Sequence, residues 1–204
     1  MALASYDDLL TSLAGWSNRT DLTAILPDFV ALAEARISRD VRVRKQVSQT
    51  TLTTVADTQG VTLPTDWLET ENVTLVGNPP TNIAVITPEL MDVKYPEGIR
   101  TGKPAVYCIV GDEMQLGPTP DGVYSITLDY YAKFAALSSD SVNWLLTNHP
   151  GIYLAGAMAE LSLYLADDQR IALWDQKYRA EVAALMEQDD MALRSGSSMR
   201  VRYV

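Results

Sequence analysis

The chain has 204 residues, 47% hydrophobic and 21% charged, which suits a folded domain with a real core and one inserted lobe rather than a disordered chain. A formal net charge of -10 excludes general attraction to nucleic acid, because affinity for phosphate comes from Lys and Arg. A single Cys (Cys108) and a single His (His149) exclude an intrachain disulfide and most zinc, Ser-His and Cys-His chemistry.

Residues 5 to 15, "SYDDLLTSLAG", have a helix signature. Ser5 can cap it, Asp8 stands at the third helical position, and Tyr6, Leu9, Leu10 and Leu13 share one face. Gly15 is expected to end it. Leu22, Ile25 and Leu26 form a short apolar turn before Pro27. Pro27 belongs in the first turn of a second helix, where its missing N–H costs nothing. That helix should run to about Asp40, with Phe29, Leu32, Ala33, Arg36 and Ile37 at helical spacing.

Arg36, Arg39, Arg42, Arg44 and Lys45 cluster at the exit of this helix. Two readings stand: a solvated helix end, since basic side chains suit a helix C-terminus, or a contact with an acidic partner surface.

From about residue 46 the pattern becomes β-branched and alternating. "VSQTTLTTV", "GVTLP", "ETENVTLVG" and "TNIAVIT" read as strands, the last two separated by the turn signal "NPP". Residues 88 to 104 hold three prolines and two glycines, with one helical turn near Glu89 to Lys94. "PAVYCIVGDEMQLGP" reads as a hairpin turning at Gly111-Asp112, and "GVYSITLDYYAKF" as the strand that closes the sheet. Short connections favour five to seven mostly antiparallel strands. Within the lobe, "LPTDWLE" is distinctive. Pro64 stops a strand, Thr65 or Asp66 can close a turn with its side chain, and Trp67 with Leu68 supplies an apolar anchor between the lobes.

Helices return after "LSSD", with Asp140 able to cap a short one that includes Asn143 and Trp144 and runs to Leu146. His149, Pro150 and Gly151 form a junction. A helix from Pro150 to about Leu165 is apolar nearly all round and should be buried. Its Ala155, Gly156, Ala157 and Ala159 permit close approach of another backbone. Asp167 or Asp168 should cap a last helix to about Leu193, with Ile171, Trp174, Tyr178, Val182, Leu185 and Met186 on its apolar side. "RSGSSMRVRYV" lacks helical periodicity and is expected to be mobile in an isolated subunit.

The expected class is α+β. Residues 1–45 and 136–193 form a helical bundle built from both ends of the chain, 46–135 an inserted, mostly antiparallel β-rich lobe, and 194–204 a tail.

Reactive groupings are missing. There is no phosphate-cradling glycine loop, no nucleophile elbow, no C-x-x-C and no H-x-x-x-H. The acidic pairs Asp7-Asp8, Asp167-Asp168 and Asp189-Asp190 do not follow a calcium-loop pattern. Cys108 reads as a small core residue and His149 as a helix-start residue. A carboxylate pair such as Glu69 and Glu71 could be asked to do glycosidase work, but two residues apart on one strand they share a wet face. No catalytic residue, cofactor or metal is expected. No apolar run reaches the ~18 residues that span a bilayer. The opening "MALASYDDLL" lacks a secretory pattern, so no membrane contact is expected and synthesis in the cytoplasm is the default.

Four stretches, in order, resemble the head-to-tail adaptor proteins of tailed bacteriophages. They are "WSNRTDLTAILPDFVALAEARISRDVR", "LPTDWLE", "PTPDGVYSITLDYYAKFAALS" and "NWLLTNHPGIYLAGAMAELSLYLADDQRIALWDQKY". Residues 78 to 104 add nothing to the resemblance. It implies a non-enzymatic ring protein of the virion, with twelve copies expected, docked on the portal protein and receiving tail or nozzle proteins. Double-stranded DNA would pass through its lumen without specific binding, and an acidic wall suits such a conduit.

On this reading Arg36, Arg39, Arg42, Arg44 and Lys45 contact the portal or a neighbouring subunit. Arg194, Arg200, Val201, Arg202, Tyr203 and Val204 dock on the portal as an added strand. Pro27, Pro64, Asp66, Trp67, Asn143, Trp144, Trp174 and Tyr178 are structural. Two other classes compete: a tail-completion or tail-tube protein, and a virion-carried peptidoglycan hydrolase.

Overall fold

The computed structural model describes residues 3–19, 21–97, 99–139, 141–166 and 168–194. Its fold is α+β, and contacts divide the chain into two compact units: residues 1–44 with 134–204, and residues 45–133.

The first unit is helical. Helix α1 (Tyr6–Ser17) starts at Ser5, whose Oγ accepts the Asp8 N–H at 3.2 Å. It runs through Gly15 and stops at Asn18, whose left-handed backbone (φ 53°) returns its N–H to the Ala14 and Gly15 carbonyls. The expected stop at Gly15 is thus three residues early, because glycine on an exposed helical face is tolerated while Asn18 makes the actual cap.

Helix α2 (Leu26–Asp40) carries Pro27 in its first turn and buries Phe29, Val30, Ala33 and Ile37. Leu32, expected on that face, is exposed. Helix α4 (Trp144–Asn148) is capped by Asn143, whose Oδ1 accepts the Leu146 N–H at 2.9 Å. The cap assigned to Asp140 lies outside the described residues.

Helix α5 (Pro150–Tyr164) is the centre of this unit. It is apolar nearly all round, Glu160 being its one charged residue, and packs against α1, α2 and α4, and against α6 (Asp168–Arg194). Ile152, Tyr153, Ala155, Ala157 and Leu161 have at most 1% of their surface exposed. Each large apolar side chain withdrawn from water in this way contributes ~1.5–3 kcal/mol before ordering entropy is counted.

The apolar stripe of α6 is Trp174, Tyr178, Val182 and Leu185, spaced by four, four and three, which closes on one face at 3.6 residues per turn. Met186 is exposed, and Asp167 lies outside the described residues. Arg194 is the last residue of α6, and the rest of the expected tail, 195–204, is likewise outside the described residues.

The second unit holds ten strands among the described residues. One sheet has the order β1 (Val47–Thr53), β10 (Ser125–Ala132), β3 (Trp67–Leu75), β4 (Thr81–Asn82). The other has β2 (Gly60–Thr62), β8 (Glu113–Gly117), β7 (Val106–Val110), β5 (Ala84–Val85). β6 (Thr101–Gly102) and β9 (Thr119–Pro120) form a third, small pair. Strict alternation along β10 buries Ile126, Leu128, Tyr130 and Ala132 on one face. They meet Val73, Leu75, Met114 and Leu116 in the core.

Three expectations change here. The strand over 81–87 is two short segments in different sheets. The described residues form ten strands where five to seven were expected. Two pairings, β5 with β7 and β6 with β9, are parallel. The helix α3 (Pro88–Lys94), capped by Thr87, supplies the crossover between β5 and β7 that short connections seemed to forbid. Gly111 turns the β7–β8 hairpin at φ 60°. Gly117 is needed for another reason: a Cβ there would come within 2.8 Å of Met91 Sδ and of the Tyr95 ring.

Candidate interaction surfaces

The basic cluster at the end of α2 divides into internal and external members. Arg36 is internal. Its guanidinium binds the Asp175 carboxylate of α6, lies 3.6 Å from Asp40, and sits over the Tyr178 ring at 4.1 Å. Its side chain is only 16% exposed. Burial works against its charge, yet Asp175 and Asp40 outweigh that and raise its pKa. The hydrogen bond from Arg36 holds the Asp175 carboxyl below its usual range. Tyr178 donates to Asp40 Oδ2 at 3.1 Å, and burial, with Asp40 beside it, pushes the phenol pKa up. Arg36 and Tyr178 therefore join α2 to α6.

Arg42 turns back and donates from Nη1 to the Ser38 and Val41 carbonyls, both at 2.7 Å, closing the C-terminus of α2. Arg44 ties the exit of α2 to α6. Its backbone N–H and Nε reach the Asp189 carboxylate at 3.0 and 2.9 Å. Arg39 is the outward member, 74% exposed, with its neighbour Asp40 at 3.3 Å. Lys45, in the short 3-10 turn Arg44–Gln46, is also exposed. The side chain of Arg194 and the whole of Arg200, Val201, Arg202, Tyr203 and Val204 lie outside the description.

Sequence reasoning missed the carboxylates that engage this cluster. The i, i+4 spacing of Arg36 with Asp40, and of Asp175 with Arg179, was the available signal.

Of the residues read as structural, Asn143, Trp174 and Tyr178 are buried, Pro27, Pro64, Trp67 and Trp144 are partly buried, and Asp66 is exposed. Asn143 is a hub: besides capping α4, its Nδ2 donates to the Ala135 carbonyl at 2.9 Å and to Tyr153 Oη at 2.7 Å. Burial pushes Tyr153 up to about 12. Trp144 stacks on Phe134 and tilts against His149, with ring centres 6.2 and 5.5 Å apart. In "LPTDWLE" the turn is closed by the backbone, Trp67 N–H to the Pro64 carbonyl at 3.0 Å, not by Thr65 or Asp66. Asp66 instead accepts from Tyr130 Oη at 3.0 Å, and its carbonyl accepts the Lys133 N–H at 2.7 Å. Trp67 packs on the core of its own unit and donates from Nε1 to Thr70.

Two hollows are lined by described residues. One, of about 290 Å³, is lined by Thr62, Leu63, Pro64, Thr65, Trp67 and Asp112. The other, of about 250 Å³, lies between Trp16, Arg170, Leu173 and Trp174, where the two indoles meet edge to face at 5.5 Å. Neither gathers a nucleophile with a base, and one carboxylate or one guanidinium is the only charge in each. Glu69 and Glu71 are both exposed on β3. Cys108 is buried in β7, which raises its thiol pKa. Among the described residues no helix is long and apolar enough to cross a membrane, and no cluster of His, Cys, Asp or Glu is set to hold a metal ion.

Among the described residues, polar side chains such as Arg36, Arg44, Asn143 and Tyr178 join elements of the helical unit, while Arg39 and Lys45 are left exposed. The model of the SU10 adaptor protein family matches residues 4–202. The chain belongs to that family, and is a structural adaptor protein of a tailed bacteriophage. No curated protein matches it.

Proposed function

We propose that this chain is the head-to-tail adaptor of its virion: copies form a ring, twelve in number, that joins the portal protein to tail or nozzle proteins and encloses the DNA passage. Membership of the adaptor family across nearly the whole chain is the observation that carries this reading. The net charge of -10 supports the conduit, because an acidic wall does not hold DNA passing through it. The absence of a gathered reactive group in either hollow favours a structural role over a hydrolase.

The test is the mass of the complex formed when the purified chain meets the portal ring of the same phage, with the chain alone as control. A defined ring of twelve copies on the portal is expected. No binding to the portal would overturn the reading and leave the tail-completion assignment ahead.

A further inference from the structure

β1 is an open edge. It pairs with β10 on one side, and among the described residues no strand pairs with the other. The bond from Thr54 N–H to the Tyr124 carbonyl, at 2.9 Å, continues the β1–β10 register and fixes the phase of the ladder. By alternation, Gln49, Thr51 and Thr53 direct their N–H and C=O groups away from β10.

Natural edges of this length are usually blunted by Lys, Pro or a bulge. β1, "VSQTTLT", has no charged residue and no proline, and its seven pairs with β10 run without a shift. It is therefore a template for strand addition.

We propose that residues 199–204 of one copy add to the β1 edge of the next copy, an inference that rests on the ring reading above. The match is one of pattern and charge. "MRVRYV" alternates, so Val201 and Tyr203 fall on one face and Arg200 and Arg202 on the other. The two faces of β1 differ in the same sense. Ser48, Thr50 and Leu52 lie opposite the buried Tyr130, Leu128 and Ile126, so Val201 and Tyr203 extend the core side. Gln49 lies opposite Asp129 on the outer side and donates to its carboxylate at 2.7 Å. An added strand lies two spacings, ~10 Å, from β10, within reach of an arginine side chain laid across Gln49. Arg200 and Arg202 thus face a carboxylate whose hydrogen bonds, among the described residues, come from neutral amides, Gln49 and, at 3.4 Å, Asn72. A tail on one copy and an edge on the next make a heterologous contact, the kind that closes into rings.

The test uses full chains on the portal ring. One preparation carries Thr51→Cys and the other Arg202→Cys; they are mixed before assembly and then oxidised. The native Cys108 is buried, so background cross-linking is low. A cross-linked dimer is expected from this mixture and from Thr53→Cys with Arg200→Cys or Arg202→Cys. Yield should be several-fold lower when Val201→Cys replaces Arg202→Cys, because that side chain falls on the other face. Rings that form on the portal with no such cross-link, or with the tail cysteine linked to the portal instead, would overturn this inference alone. Failure to form rings at all would overturn it together with the proposed function.

Discussion

The guanidinium of Arg36 on α2 stacks over the ring of Tyr178 on α6, 4.1 Å from its centre, while the same group binds Asp175. A partly buried charge is held here by a ring face and two carboxylates. Arg36→Met keeps the apolar stem and leaves Asp175 and Asp40 without their partner. Breaking a fully buried pair costs ~3–5 kcal/mol. With Asp175 30% exposed, solvent reduces that to ~1–2 kcal/mol, read as a lower denaturant midpoint at unchanged slope. The pH dependence has a definite sign. The Asp175 pKa is lowered in the folded chain, so its stabilisation is present above its ordinary value of 3.8 and lost as pH falls through the folded value. Wild type and Arg36→Met should therefore converge in stability below pH 3.8. A constant gap down to acid unfolding would show that the stacking on Tyr178, not the ion pair, does the joining.

The Tyr153 phenol gives the alkaline counterpart. Burial raises its pKa from 10.0 to about 12. A raised pKa contributes stability that is complete below pH 10 and is lost as pH climbs toward 12, because the unfolded chain gives up the proton first. Over that interval Tyr153→Phe should remove ~1.4 kcal/mol per pH unit from the slope of stability against pH. Denaturant titrations at several alkaline pH values measure it, and an unchanged slope would mean that Tyr153 ionises in the folded state.

The α-helices were the most legible part of the sequence, and their joints the least. Period 3.6 with Pro27, Pro150 and Ser5 located α1, α2 and α5, because those signals are local. The sheet was harder. β-branched alternation found β1, β3 and β10, but nothing local distinguishes an inside strand from an edge strand. The strand order was therefore not legible, and "TNIAVIT" was read as one strand where its halves serve two sheets. The arginine cluster was visible as composition and, for Arg36 with Asp40, as an i, i+4 spacing. Whether an arginine works inward, as Arg36 does, or outward, as Arg39 does, depends on carboxylates more than a hundred positions away in the chain.

Gly156 in α5 is where three helices converge. A Cβ there would lie 3.3 Å from Ala33 Cβ on α2 and 3.4 Å from the Tyr178 ring on α6. In an open helix Gly→Ala gains ~1 kcal/mol. Here the gain is offset by the contacts, so Gly156→Ala should leave thermal stability nearly unchanged. Gly156→Val adds two further methyls against α2 and should cost ~2–3 kcal/mol. Pairing Gly156→Ala with Ala33→Gly restores the space and should lose no more than Ala33→Gly alone. A loss greater than that would place the tight contact at Tyr178 rather than at Ala33.

Arg39 and Arg42 separate assembly from folding, although both belong to one cluster. Arg39 is 74% exposed, so Arg39→Glu should leave the melting temperature of the free chain within a degree or two. Arg42 satisfies two carbonyls at the end of α2, so Arg42→Glu removes that closure and puts a carboxylate at the negative end of the helix dipole. It should cost ~1–2 kcal/mol before any partner is present. If the cluster touches the portal or a neighbouring subunit, Arg39→Glu lowers the yield of rings on the portal while the free chain stays fully folded. Normal ring yield from a folded Arg39→Glu chain would count against the contact and leave the cluster to the internal work seen here, helix closure by Arg42 and the joining of α2 to α6 by Arg36 and Arg44.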